Sequence, residues 1–303
     1  MPSCTGKEER RLVDNFAVKG VYVTQSIAIS QTEMSTRTHR TTSFLSAHPV
    51  FTRAEFAAAF GRPASAASIT SLLKHHLKAG NIKRLSREVF AAVPAHLSVE
   101  NLMVDRLIAA SKLRTDGVLG YHSALELHGV AYSEFNEVQL ISRGRTELAD
   151  LPFGLCRLIG PPKALLDTDR TDYLTVIMDR LGMPIKVTAI ERTLVDVLHR
   201  PDIAGGVEEV LQSLDMVRYL DPEKLVEYVE LLGFRSLAAL TGWWLERRQS
   251  ALGVADSILD RLRALLPRSK HYALGAEPGN AVLVEPWRVL LPPQAVETSF
   301  EGV

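Results

Sequence analysis

The run from Thr52 to Val93, TRAEFAAAFGRPASAASITSLLKHHLKAGNIKRLSREVFAAV, leaves this chain few ways to fold. Thr52 followed three residues later by Glu55 is the arrangement in which a hydroxyl and a carboxylate satisfy each other's free backbone N–H groups at a helix start. Gly61 closes that helix, GRPA makes a turn, and a second helix is expected from Ser65 to Ala79. Its inner face would be Ile69, Leu72, Leu73, His76 and Leu77, with Gly80 as a left-handed stop. Ser71, Lys74, His75 and Lys78 recur on the opposite side at helical spacing. A short third helix is predicted at TSFLSAH, and IKRL and VFAAV flank SRE as the two strands of a hairpin. Three helices with a two-stranded wing describe a winged helix-turn-helix, whose two turn-linked helices read DNA.

Charge reinforces the pattern. The chain is neutral overall, with 35 basic and 35 acidic residues. Residues 36–93 nevertheless hold nine basic side chains against Glu55 and Glu88, a surplus of +7, while residues 1–35 balance at four and four. The remainder, 94–303, carries 22 basic and 29 acidic residues, a deficit of −7. One segment suits a polyanion and the larger one does not.

The 303 residues allow two domains, and three segments are expected: a mostly disordered extension over 1–40, the basic unit over 41–95, and a larger domain over 96–303. Pro94 marks the second boundary, since it withholds a backbone donor and disfavours helix in the residue before it. The fold class is therefore α+β, an N-terminal winged helix-turn-helix followed by a mixed α+β domain that turns mainly helical after about residue 200. Helices are predicted at LSVENLMVDRLIAAS and YHSALELHG, and strands at EVQLIS, GLCRLIG, YLTVIMD and IKVTA. The helix IERTLVDVLHRP and a helical run from Val207 come next, with a final strand at WRVLLP. The absence of a long apolar run argues against a membrane protein, and the absence of a leader against export. Cys4 and Cys156 stand in unrelated contexts, which points to a reducing cytoplasm and no disulfide or cysteine-based zinc site.

In their order, the basic unit, GVLGYHSALELHGV, VTAIERTLVDVLHRPDIAGGVEEVL, LTGWWLERR and VEPWRVLLP make the chain similar to the AbiEi family of type IV antitoxins, over about residues 41–300. The resemblance implies a bacterial regulator that binds inverted repeats in its own promoter and represses its operon. It also implies that the second domain counteracts a nucleotidyltransferase-like toxin, and a stable complex of the two is not part of that implication. Glu88 departs from the family's wing turn, where members carry glycine, and an acid there opposes phosphate. Residues 1–40 have no counterpart in the family pattern.

The residues expected on DNA are Arg53, Arg62, Ser65, Ser68, Ser71, Lys74, His75, Lys78, Lys83, Arg84 and Arg87. Serines and lysines near the start of the second helix can reach base edges, whereas Lys78 and the hairpin cations suit phosphates. Discrimination needs several base contacts, so two copies per operator are expected. His76 reads as a core residue. His122 and His128 lie six apart and cannot copy the one-face geometry of a zinc helix. Asp167, Asp169 and Asp172 miss the glycine and glutamate of a calcium loop. GPPKALLD lacks the glycines of a phosphate loop, and Glu191, Arg192 and Asp196 read as structural. GWWLERR likewise reads as core, with the alternative that Trp243 or Trp244 is partly exposed as an anchor for a protein partner. No enzymatic activity, cofactor or metal is expected. The competing readings are a nuclease-like DNA enzyme and a one-component regulator that senses a ligand.

Overall fold

The structure, a computed structural model, describes residues 39–297 and is mixed α+β. The predicted extension therefore lies outside the described residues, apart from 39 and 40. Two compact units divide the chain: one runs to Lys83 and includes Ala91–Glu100, and the other joins Arg84–Phe90 to the chain from Asn101 on. No helix among the described residues is long and apolar enough to cross a membrane.

The first unit opens with helix α1 over residues 39–47. Strand β1 (Val50–Thr52), helix α2 (Arg53–Ala59), helix α3 (Ala67–Lys78) and strands β2 (Ile82–Arg84) and β3 (Val89–Ala92) follow, the hairpin tip Arg84–Phe90 being the stretch grouped with the other unit. The predicted two-stranded hairpin gains β1 as a third strand, in the order β1-β3-β2. Three residues without alternation gave β1 no sequence signature. Both halves of the capping box form: the Thr52 N–H donates to Glu55 Oε2 at 2.7 Å, and the Glu55 N–H donates to Thr52 Oγ1 at 3.1 Å. Phe44, Phe51, Phe56 and Phe60 hold the helices together, with ring centroids 5.0 to 5.6 Å apart in stacked, tilted and edge-on pairs. Such pairs add directionality to apolar burial.

The second unit is built on a six-stranded sheet in the order β6-β7-β5-β4-β9-β8. Its strands are β4 (Val118–Leu119), β5 (Glu137–Ile141), β6 (Glu147–Leu151), β7 (Gly154–Ile159), β8 (Thr175–Arg180) and β9 (Met183–Thr188). Strand alternation sorts the side chains. Val138, Leu140, Cys156, Leu158, Ile185 and Val187 form one core with helix α4 (Arg106–Ser111), while Ile141 and Ile159 join the other core. The helix predicted from residue 97 is only α4: Asp105 ends the preceding turns by accepting from the Leu107 and Ile108 N–H groups, each at 3.0 Å.

Helix α5 (Tyr121–Leu127) and the short α6 (Lys163–Asp167) are followed by α7 (Ile190–His199), α8 (Val207–Asp215), α9 (Pro222–Leu232) and α10 (Arg235–Arg247). Helix α11 (Gln249–Leu252) and α12 (Asp256–Ala264) complete the large core. A small sheet, β10 (His271–Tyr272), β11 (Val282–Val284) and β12 (Val289–Leu291), precedes α13 (Pro293–Glu297). Trp243 and Trp244 are both buried, in keeping with the core reading of that pair and against the alternative of an exposed anchor. α10 is enclosed because Trp287 packs directly on Gly242: a Cβ there would lie 2.0 Å from the indole ring. The Trp287 indole N–H donates to Glu246 Oε2 at 2.7 Å, and Arg263 lies over the same ring. LTGWWLERR and VEPWRVLLP are thus two sides of one contact.

Candidate nucleic-acid interface

An α-helix turns about 100° per residue, so Ser68, Ser71, Lys74, His75 and Lys78 fall within roughly a 120° arc of α3. All five are exposed, while Ile69 and Leu73, on the opposite arc, are buried. Leu72, His76 and Leu77 are half-buried. Ser65 lies exposed in the turn before α3, and Arg62 is exposed beside it. No acidic residue occupies the first turn of α3, and Ala66 provides no side-chain cap; the Ile69 and Thr70 N–H groups donate to the Ala66 carbonyl, which leaves those of Ala67 and Ser68 to an outside acceptor. Gly80 ends the run at φ 71°, the left-handed conformation a side chain would resist.

Arg53 has a different occupation. Its Nε donates to the Ala64 carbonyl at 2.7 Å and its Nη2 to Thr70 Oγ1 at 2.5 Å, which fastens the start of α2 to the turn and to α3. A half-buried guanidinium spent on two internal acceptors shapes the helix pair rather than reaching outward. Lys83 is likewise half-buried on β2. On the hairpin, Arg84 is exposed with its guanidinium 5.4 Å from the centroid of Phe90. Arg87 is 94% exposed, and Glu88 lies 3.7 Å from it, so the acid in the turn faces a cation of its own strand connection. Glu55 is engaged in the cap of α2. Both acids of the basic segment are therefore matched locally, while Lys74 and Lys78 are paired with no carboxylate among the described residues.

His76 faces inward, its Nδ1 3.1 Å from Asn81 Nδ2 and its ring edge-on to His75. Burial, and then the neighbouring His75, lower its pKa, which keeps the ring neutral. Beside it lies a cleft of about 920 Å³ lined by Leu45, Leu72, His75, His76, Val93 and Pro94 among others. Sequence reasoning found no signal for this cleft, because its walls come from α1, α3 and the segment after β3.

The acids and histidines of the second unit that the sequence singles out are engaged in the fold. Asp167 pairs with Lys163, Asp169 with Arg143, and Asp172 with Lys186. His128 Nε2 meets the Thr188 carbonyl at 2.8 Å, and His122 Nε2 lies 3.1 Å from Glu209. Burial pushes the Glu209 carboxyl upward, but donors from Ser133 and Ser213 outweigh it and hold the group below its ordinary pKa. Glu191 accepts from the Asp221 N–H. Asp196 accepts from Tyr228 and lies 3.4 Å from Arg192, and burial raises its pKa against both. Burial also pushes the Cys156 thiol up to about 12, leaving it unreactive. Among the described residues, no three His, Cys, Asp or Glu side chains are gathered as a metal set.

No family model matches the chain, and no curated protein matches it. Its fold is similar to the crystal structure of the RV2827C protein from Mycobacterium tuberculosis, with a TM-score of 0.52. The likeness covers 84% of this chain and 90% of that one at 17% identity.

Proposed function

We propose that this chain is a DNA-binding regulator whose first unit acts as a winged helix-turn-helix, with α3 as the helix that enters the major groove. The observation that carries this reading is the outer arc of α3: serines, lysines and a histidine, all exposed, with no carboxylate beside them. The element order of three helices and a hairpin supports it, as does the surplus of +7 over residues 36–93. Serines and Lys74 would read base edges, and Lys78, Arg62, Arg84 and Arg87 would hold phosphates. We further propose the role that the family resemblance implies, an antitoxin that represses its own operon and counteracts a nucleotidyltransferase-like toxin. Replacing Lys74 and His75 together with alanine tests both parts. Promoter binding in a mobility-shift titration should weaken while toxin neutralisation persists, and equal loss of both would refute the separation of roles.

A ligand-responsive regulator is the second reading, favoured by the cleft beside α3, whose volume is in the range of small-molecule sites. There a bound ligand would press on His75 and His76. Leu72→Trp, which fills the cleft, should then alter promoter affinity in a mobility-shift titration without any ligand, and unchanged affinity would count against this reading.

A further inference from the structure

Residues 94–303 total −7, yet four cations meet at the turn that leaves α12. The turn, residues 266–270, carries Arg268 and Lys270, both exposed. Its first two carbonyls hold two more. Arg235, in the first turn of α10, donates Nη1 to the Leu266 carbonyl at 3.2 Å, and Arg288 donates Nη1 to the Pro267 carbonyl at 3.0 Å. β10 and β12 run parallel with His271 beside Val289, and the His271 N–H donates to the Arg288 carbonyl at 3.2 Å. Lys270 and Arg288 therefore enter the two strands side by side. Of the four, only Lys270 has a carboxylate partner among the described residues, Glu285 at 3.3 Å. Four cations against one carboxylate leave a local surplus of +3. Guanidinium groups at the end of a helix also cap its carbonyls. That role takes one of the five N–H donors of Arg235 and of Arg288, and Arg268 has no part in it. Arg288 is moreover held at φ 52°, a left-handed conformation that a side chain resists. Cations gathered this closely repel one another until an anion lies among them.

We propose that this cluster is a binding site for a compact oligophosphate, either the di- or triphosphate group of a nucleotide or a free polyphosphate. Guanidinium groups meet phosphate oxygens with paired N–H donors in a planar fork, and three of the four cations are arginines. Lys270 adds a point charge. Four cations around one five-residue turn match an anion that carries several charges within a short span. A long polyanion such as a nucleic-acid duplex fits less well, because beyond the cluster it would run over a segment of net negative charge. The site belongs to the other unit from α3, so it does not rest on the DNA reading.

Isothermal titration of the full chain with tripolyphosphate and, separately, with ATP at low ionic strength tests the assignment. At least one should bind: tighter ATP assigns a nucleotide, and equal or tighter tripolyphosphate assigns a free polyphosphate. Arg268→Ser together with Arg288→Gly should weaken whichever binds by about tenfold or more. Glycine suits the left-handed backbone at 288, so this variant should keep the wild-type circular dichroism spectrum. If it fails to fold, Arg268→Ser alone decides, since that exposed side chain bonds to nothing among the described residues, and it should weaken binding about threefold. Lys74→Ala with Lys78→Ala, in the first unit, should leave the titration unchanged. No binding of either anion, affinity that survives the loss of Arg268 and Arg288, or binding that Lys74 and Lys78 control instead would overturn the proposal.

Discussion

At the residue scale, Arg53 and Lys78 are both cations of the basic segment, but they do different physical work. Arg53 makes two internal hydrogen bonds, whereas Lys78 stands exposed on α3. Arg53→Ala should therefore cost about 1–2 kcal/mol of folding stability in chemical denaturation. Lys78→Ala should stay within about 0.5 kcal/mol, as surface changes usually do. Equal costs would remove the distinction. Asp215 offers a test of pH dependence. Burial pushes its carboxyl up to about 6, outweighing Arg248, Arg247 and Arg218. A group with its folded pKa raised contributes stability that is present at low pH and lost as pH rises through the folded value. Asp215→Asn mimics the protonated form, so its melting temperature should exceed the wild type's above pH 6 and converge with it toward pH 4. A constant difference across that range would contradict the assignment. The arc Ser68, Ser71, Lys74, His75 and Lys78 was legible from helical spacing alone, but the inward turn of Arg53 was not. Its acceptors, Ala64 and Thr70, lie eleven and seventeen residues away, and only the fold brings them near.

At the scale of elements, local chemistry set the ends of helices well. Thr52 and Glu55 form both bonds of their cap, and Gly80 takes the left-handed conformation at the end of α3. α4 was overextended because the apolar residues from Leu97 to Met103 resemble a helical face, while the cap that starts the helix is Asp105, deep in the run. β4 has two residues and β6 alternates weakly, so neither had a period to read. The contact between α10 and Trp287 carries the sharpest prediction at this scale. Gly242→Ala would drive a methyl into an indole held by Glu246, and overpacking of this kind costs about 3 kcal/mol or more. Thermal unfolding should show the loss, and a wild-type midpoint would mean that the ring yields.

Across the whole molecule, a net charge of zero hides two opposed segments, +7 over residues 36–93 and −7 over 94–303, and the proposed DNA reading makes this measurable. Each phosphate neutralised contributes about 0.9 to the slope of log affinity against log salt, so four to six contacts give a slope of roughly −4 to −5. Fluorescence anisotropy on promoter DNA over a salt series should find that value. Lys74→Ala or Lys78→Ala should flatten it by about 0.9 where the lysine meets a phosphate. A slope near zero would remove the electrostatic basis of the proposal.

The sequence by itself determined the basic segment, the capped start of α2, the glycine stop of α3, the outward arc of α3 and most strands of the second unit. Those features depend on residues within a few turns of one another, where backbone sterics and hydrogen-bonding periods act directly. Only the tertiary structure decided the strand order β6-β7-β5-β4-β9-β8, the packing of Trp287 on Gly242 and the inward use of Arg53. These depend on which surfaces distant segments present to each other, and apolar burial rewards any well-packed pairing without marking the partner in the local sequence.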